Sequence, residues 1–223
     1  MGLYLNIDIL SQYDMIIFDC DGVLIDINLF KCEAFGEAVS HYPYYIVNNF
    51  VNHCKESFGV SRYVKFKEFL SRFANVPYRD EEYYILLNNY SKLCSKGYEV
   101  ANLTPGCESL LMVLNNHSKE LYIVSGSDEE ELNQVFTKRD LSRYFNGIFG
   151  SPKTKLECTS IILDDTSSKK AVFIGDALSD MKTAKEKNID FIYMSNFTVQ
   201  SEEQDRLCRE GAIITINTLE DLM

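Results

Sequence analysis

The stretch Met15-Ile16-Ile17-Phe18-Asp19-Cys20-Asp21-Gly22-Val23-Leu24 decides how this chain folds. Four apolar residues followed at once by two acidic residues and a glycine read as a short strand buried on both faces, ending in a polar turn. The pattern recurs at Leu121–Val124 before Ser125 and at Ala171–Ile174 before Gly175-Asp176. Further apolar runs lie at Phe191–Met194 and Ile213–Ile216, with a shorter one at Gly147–Phe149. Between them are stretches with helical spacing: Cys107–Asn115, Asp128–Lys138, Leu156–Leu163, Asp180–Lys187 and Glu202–Glu210. Strand alternating with helix predicts an α/β fold, a doubly wound Rossmann-like core around a parallel sheet.

One region breaks the alternation. Residues 28–100 contain no strand-like run, only helical apolar faces: Phe30, Ala34, Phe35, Ala38 and Val39; Phe66, Phe69, Leu70 and Phe73; and Tyr83, Tyr84, Leu87, Tyr90, Leu93 and Cys94. This reads as a helical subdomain inserted after the first strand, with 1–27 and 101–223 forming the core. Thr104-Pro105-Gly106 punctuates the return to it. Glu129–Glu131 reads as the solvated first turn of a helix, where acidic residues favour the macrodipole.

Composition narrows the partners. With 223 residues, 46% hydrophobic and 25% charged, the chain can bury a sizeable core. A formal net charge of −11 argues against nucleic acid, which needs clustered cations for counterion release, and against an anionic membrane surface. No apolar run reaches membrane-spanning length. Seven scattered cysteines without a Cys-x-x-Cys pair fit free thiols in a reducing compartment. No leader pattern opens the chain, and Asn6 stands where acylation at Gly2 would expect Ser or Thr. A cytoplasmic protein, monomer or homodimer, is the expectation.

In an open parallel sheet, ligands bind beyond the carboxyl ends of the strands, where strand order reverses. Three predicted strands end there in groups able to do chemistry. Asp19 can attack phosphorus and form an aspartyl-phosphate; Asp21, two residues on and past a turn eased by Gly22, can protonate a leaving oxygen and later deprotonate water. Asp176 and Asp180, four apart at the start of a predicted helix, can point to one site, and oxygen ligands of this kind suit Mg2+. Ser125, with backbone N–H groups of the turn at Gly126, can hold a phosphate oxygen. Lys153 or Lys155, of which Lys155 opens the helix better, can balance developing negative charge. Each feature alone is also compatible with an ordinary turn, cap or surface residue; their convergence at strand ends is what points to phosphoryl chemistry.

Four segments in order, Asp19-Cys20-Asp21-Gly22-Val23-Leu24, Ser125-Gly126-Ser127, Gly150-Ser151-Pro152-Lys153-Thr154-Lys155 and Gly175-Asp176-Ala177-Leu178-Ser179-Asp180, resemble the motifs of the haloacid dehalogenase-like superfamily. Within it, the chain resembles the phosphoglycolate phosphatase-like group with an α-helical cap. The resemblance implies Asp19 as nucleophile and Asp21 as general acid and base. It implies magnesium on Asp19, the Asp21 main-chain carbonyl and Asp176, with Asp180 supporting the metal site and the lysine. Ser125 and Lys155 would bind the transferring phosphoryl group, aided by Gly126. The third motif departs from the Lys-Pro-x-Pro form of phosphoglycolate phosphatases. In the inserted subdomain, Arg62 and Lys65, three apart on one helical face, read either as facing the site and binding an anionic or polyhydroxylated leaving group or as solvated surface residues. The expected activity is hydrolysis of a small phosphorylated metabolite. A phosphomutase and a non-catalytic phospho-ligand binder are the alternatives.

Overall fold

In the computed structural model, which describes residues 8–164 and 170–223, a short helix Asp8–Ser11 (α1) leads into the strand Met15–Phe18 (β1). The amino-terminal residues behind the leader and acylation readings lie outside the described residues. Five more strands follow: Glu120–Asp128 (β2), Gly147–Ser151 (β3), Ala171–Gly175 (β4), Asp190–Met194 (β5) and Ile214–Ile216 (β6). All pair in parallel, in the order β3-β2-β1-β4-β5-β6. The chain winds outward from β1 to β3, then crosses back to β4 on the other side of β1. The switch point therefore falls between β1 and β4.

Alternation explains why these runs occupy the middle of the sheet. Ile16, Phe18, Val172 and Ile174 pack on one face, while Met15, Ile17, Ala171 and Phe173 pack on the other. A strand buried on both sides has no polar face to present, which is why it reads as a continuous apolar run.

Between β1 and β2 the chain forms the helices Asn28–Ala38 (α2), Tyr44–Glu56 (α3), Arg62–Glu68 (α4) and Asp80–Val100 (α5), with a π-helical turn at Phe69–Phe73 continuing α4. The centre of this insert is aromatic. Phe35 stacks on Tyr90 with ring centroids 4.1 Å apart, and Phe50 lies 4.7 Å from Phe69. Phe66 meets Phe35 and Tyr90. Such pairs contribute about 0.5–1.5 kcal/mol each beyond area burial. Gly97 on α5 admits the Phe30 ring, which a Cβ there would meet at 2.4 Å.

The α5 face differs from expectation at one position. Tyr83, Leu87, Tyr90 and Cys94 are buried, whereas Tyr84 is 63% exposed. Successive helical residues are ~100° apart, so only one of two adjacent tyrosines can join the stripe; Leu86 fills the place instead.

The core helices are Cys107–Asn116 (α6), Glu129–Lys138 (α7), Lys155–Asp164 (α8), Leu178–Glu186 (α9) and Glu202–Gly211 (α10). All seven cysteines are free and buried. Among the described residues, no helix is long and apolar enough to cross a membrane.

Candidate active site

Asp19 is the first residue past β1, and its backbone N–H donates to the Ile174 carbonyl at 2.9 Å. That bond extends the β1–β4 pairing by one residue and sets the side chain at the switch point. Its Oδ1 accepts from the Cys20 N–H at 2.7 Å, and Oδ2 accepts from Lys155 Nζ at 2.7 Å. The turn that follows requires glycine twice over. Gly22 has φ +81°, and a Cβ there would lie 2.0 Å from Asn28 Nδ2 and 2.2 Å from Asp176 Oδ2.

Asp21 faces the helical insert. Its Oδ2 accepts from Lys31 Nζ and from Ser127 Oγ, both at 2.6 Å, and its Oδ1 accepts from the Tyr98 hydroxyl at 2.6 Å. Burial pushes this carboxyl up. The Lys31 charge and the hydrogen bonds from Lys31, Ser127 and Tyr98 outweigh it, and the group stays below the usual carboxylate range.

Lys155 opens α8 and bridges two carboxylates, Asp19 at 2.7 Å and Asp180 at 2.5 Å. Burial disfavours its charge, but the fields of Asp180 and Asp19 win, and the ammonium is held above its ordinary range. Lys153, by contrast, lies on the surface against Glu129 at 3.2 Å.

Asp176 and Asp180 do not share a helical face, as their spacing suggested. Helix α9 begins at Leu178, so Asp176 belongs to the end of β4. Asp180 reaches the site from the first turn, its Oδ2 accepting from the Ala177 N–H at 3.1 Å. One oxygen each of Asp19, Asp176 and Asp180 lie within 4.8 Å of one another. Burial, then the charges of Asp19 and Asp180, push Asp176 well above the carboxylate range.

These residues fit a divalent cation. Of four buried carboxylates, Asp19, Asp21, Asp176 and Asp180, three bond an ammonium group: Asp21 bonds Lys31, and Asp19 and Asp180 bond Lys155; Asp176 bonds the Asn28 amide. With all four ionised, the deficit is the charge of one Mg2+, the counter-charge that would keep Asp176 and its neighbours ionised together. Asp176 Oδ1, moreover, is buried with no hydrogen-bond partner among the described residues, a hard oxygen of the kind magnesium takes.

Ser125 and Gly126 lie within β2, where the register against β3 shifts between Val124 and Asp128. Ser125, Gly126 and Ser127 line the same cavity as Asp19; Ser125 Oγ accepts from the Ser127 N–H at 3.2 Å. The helical insert closes over this corner. A Cβ at Gly126 would meet the Gly59 carbonyl oxygen at 2.5 Å, and one at Gly59 (φ +80°) would meet Ser179 Oγ at 2.2 Å.

Under that lid lies a cavity of about 50 Å³ whose wall includes Asp19, Lys31, Arg62, Lys65, Ser125 and Lys155. Arg62 and Lys65 both line it, but they are engaged differently. Arg62 makes a bidentate pair with Glu131 of α7, at 2.6 and 2.7 Å. Glu131 is therefore a clasp between insert and core rather than part of a solvated turn. Ser91 of α5 donates to it as well, and Tyr63 donates to Asp128 at 2.6 Å. Lys65 Nζ donates to the Cys54 carbonyl at 2.9 Å and lies 4.8 Å from the Phe35 ring centroid. No carboxylate pairs with it among the described residues, and burial pulls its ammonium below the usual lysine range. Replacing Glu131 with Gln should leave a buried guanidinium half-paired and cost about 2–3 kcal/mol, read as a lower urea midpoint; an unchanged midpoint would remove the clasp.

Lys31, Tyr98, Ser127 and Asn28 were not singled out from the sequence. A signal existed. Lys31 interrupts the α2 apolar stripe at 34, 35 and 38, and Tyr98 extends the α5 stripe at 90 and 94. A polar group on a buried face needs a partner, but sequence does not say which element supplies it.

The sequence matches the family model for haloacid dehalogenase-like hydrolases over residues 16–194. None of the curated proteins matches it. Among solved structures, the fold is similar to a hydrolase from Pseudomonas syringae (TM-score 0.75, 18% identity, 94% of this chain and 95% of that one). It is also similar to a predicted phosphoglycolate phosphatase from Haemophilus somnus (0.74, 14% identity, 94% and 96%). A third is a predicted phosphatase from Clostridium acetobutylicum (0.70, 21% identity, 95% and 97%). With the match running from the central strand to the end of β5, and a six-stranded parallel sheet bearing a helical insert after its first strand, this chain belongs to the haloacid dehalogenase-like hydrolase family.

Proposed function

We propose that the protein is a magnesium-dependent phosphomonoester hydrolase acting through an aspartyl-phosphate on a small phosphorylated metabolite. The observation that carries this reading is Asp19 itself. It is a buried carboxylate at the switch point, oriented by the Cys20 N–H and Lys155, beside Asp176 and Asp180 and on the wall of a small cavity.

In this reading an Asp19 oxygen attacks phosphorus, and the bond to the leaving oxygen breaks as Asp21 delivers a proton to it. Asp21 then takes a proton from the water that attacks the aspartyl-phosphate, releasing inorganic phosphate and restoring Asp19. The bond from Lys31 favours the ionised form of Asp21, the form the second half-reaction uses. The first half-reaction starts from the protonated form, which the proton taken from the attacking water restores. Lys155, Ser125 and the Gly126 backbone hold the phosphoryl oxygens. Asp19, Asp176 and the Asp21 carbonyl would hold magnesium, backed by Asp180; the ion supplies positive charge to the transferring group. Phosphate release from a panel of phosphorylated metabolites, with and without Mg2+, tests the reading. Release that is indifferent to the metal would count against it.

The leaving group meets Lys65. Arg62 has its charge matched by Glu131, while Lys65 is buried without a carboxylate partner among the described residues, suited to an anionic or polyhydroxylated leaving group. Lys65→Met should raise KM for the natural substrate by about 10- to 100-fold, with less than about 3-fold change for a generic aryl phosphate. Equal effects on the two would remove Lys65 from substrate recognition.

A further inference from the structure

Asn28 opens α2, and its residue is 1% exposed. Its amide nitrogen is fully committed: Nδ2 donates to Asp176 Oδ2 at 2.7 Å and to the Phe197 carbonyl at 2.9 Å. Both partners are acceptors, so the orientation of the amide is fixed by its surroundings. The opposite end of the group is bare. Among the described residues, Asn28 Oδ1 is buried with no hydrogen-bond partner, and so is Asp176 Oδ1 on the carboxylate it holds.

Buried acceptors without donors are rare because each has left water for nothing in return. Two of them on hydrogen-bonded neighbours mark a place for an electropositive group. The nearby cations do not fill it: Lys155 bonds Asp19 and Asp180, and Lys31 bonds Asp21, Ser127 and Tyr98.

We propose that Asn28 is a positioning residue of the cation site: its amide nitrogen fixes the Asp176 carboxylate through Oδ2, leaving Oδ1 for the cation, and its own Oδ1 accepts from the cation's hydration shell. This rests on the cation-dependent reading above and adds to that site a residue from the helical insert. The residue type is specific to the task. An Asp at 28 would set two carboxylates against each other where Asn28 now donates, and a Ser would fall short of both partners. Gly22 leaves the gap through which the contact is made, since a Cβ there would collide with both Asn28 Nδ2 and Asp176 Oδ2.

The test is calorimetric titration of Mg2+ into the purified protein and into Asn28→Ala and Asn28→Leu, with Thr104→Val as control. Leucine keeps the volume of the side chain and removes its polar atoms, so a packing failure in the alanine variant does not decide the outcome. Thr104 Oγ1 donates to the Val23 carbonyl at 2.5 Å, so its loss removes a buried hydrogen bond to the turn after β1 without touching the carboxylates. Both Asn28 variants should bind Mg2+ about 10- to 100-fold more weakly, as supporting residues of metal sites do, while Thr104→Val stays within about twofold. The Mg2+-induced rise in Tm should shrink in parallel. Asn28 variants that bind within about twofold of the unsubstituted protein would overturn the proposal alone. Absence of Mg2+ binding in the unsubstituted protein would overturn it together with the cation-dependent function.

Discussion

Asp19→Asn is expected to abolish phosphate release while leaving the fold intact. The substitution preserves volume and the acceptor for the Cys20 N–H, but an amide does not attack phosphorus. Loss of a covalent nucleophile costs about 10⁴-fold or more in kcat in enzymes that depend on one. Stability should not fall with activity. Asp19 is one of three buried carboxylates crowded within 4.8 Å, so neutralising it relieves repulsion on Asp176 and Asp180, and Lys155 keeps its 2.5 Å bond to Asp180. The measurement is phosphate release at saturating Mg2+ beside a thermal melt. An active Asp19→Asn protein would end the aspartyl-phosphate reading. An inactive one that had also unfolded would show that Asp19 acts mainly in holding the core together.

Lys155→Met should be damaging in both respects, and the contrast with Asp19 is informative. Lys155 is the ammonium that joins Asp19 and Asp180, with only 5% of its side chain exposed. Removing one member of a buried charge cluster leaves the others uncompensated, at a cost of about 3–5 kcal/mol. Catalysis should fall by a further ~10²–10³-fold, the usual consequence of deleting a group that offsets developing negative charge. The two losses are separable with Mg2+. A divalent cation replaces part of the missing charge, so raising its concentration should recover much of the Tm and little of the kcat. Full recovery of both would mean that Lys155 contributes only to the charge balance of the resting site.

The clasp between insert and core carries a related implication. Arg62–Glu131 and Ser91–Glu131 join the insert to the first turn of α7, and Tyr63–Asp128 joins it to the residue capping that helix, at the irregular end of β2 that carries Ser125 and Gly126. The surface that closes the cavity and the segment assigned to the phosphoryl oxygens are thus anchored together.

The amino-acid sequence by itself determined the strands, the order of the core helices, and the place of the helical insert. It did so because these are local properties. Four apolar residues ending in Asp19-Cys20-Asp21-Gly22 describe a strand buried on both faces without reference to anything else in the chain. Asp19, Ser125 and Asp176 were legible for the same reason, since each follows its own apolar run and parallel strands deliver their carboxyl ends to one edge. Tertiary structure decided the rest. Lys153 and Lys155 are two residues apart, and only the packing of α8 sends one to Asp19 and the other to solvent. Arg62 and Lys65 share a helical face, yet Glu131, 69 positions from Arg62, takes up one charge and leaves the other unpaired. Lys31, Tyr98 and Asn28 look like imperfections in helical stripes until Asp21 and Asp176 are brought against them. The physical reason is common to all these cases: periodicity fixes which face a side chain occupies, but the partner of a buried polar group comes from a distant element, and only folding brings the two together.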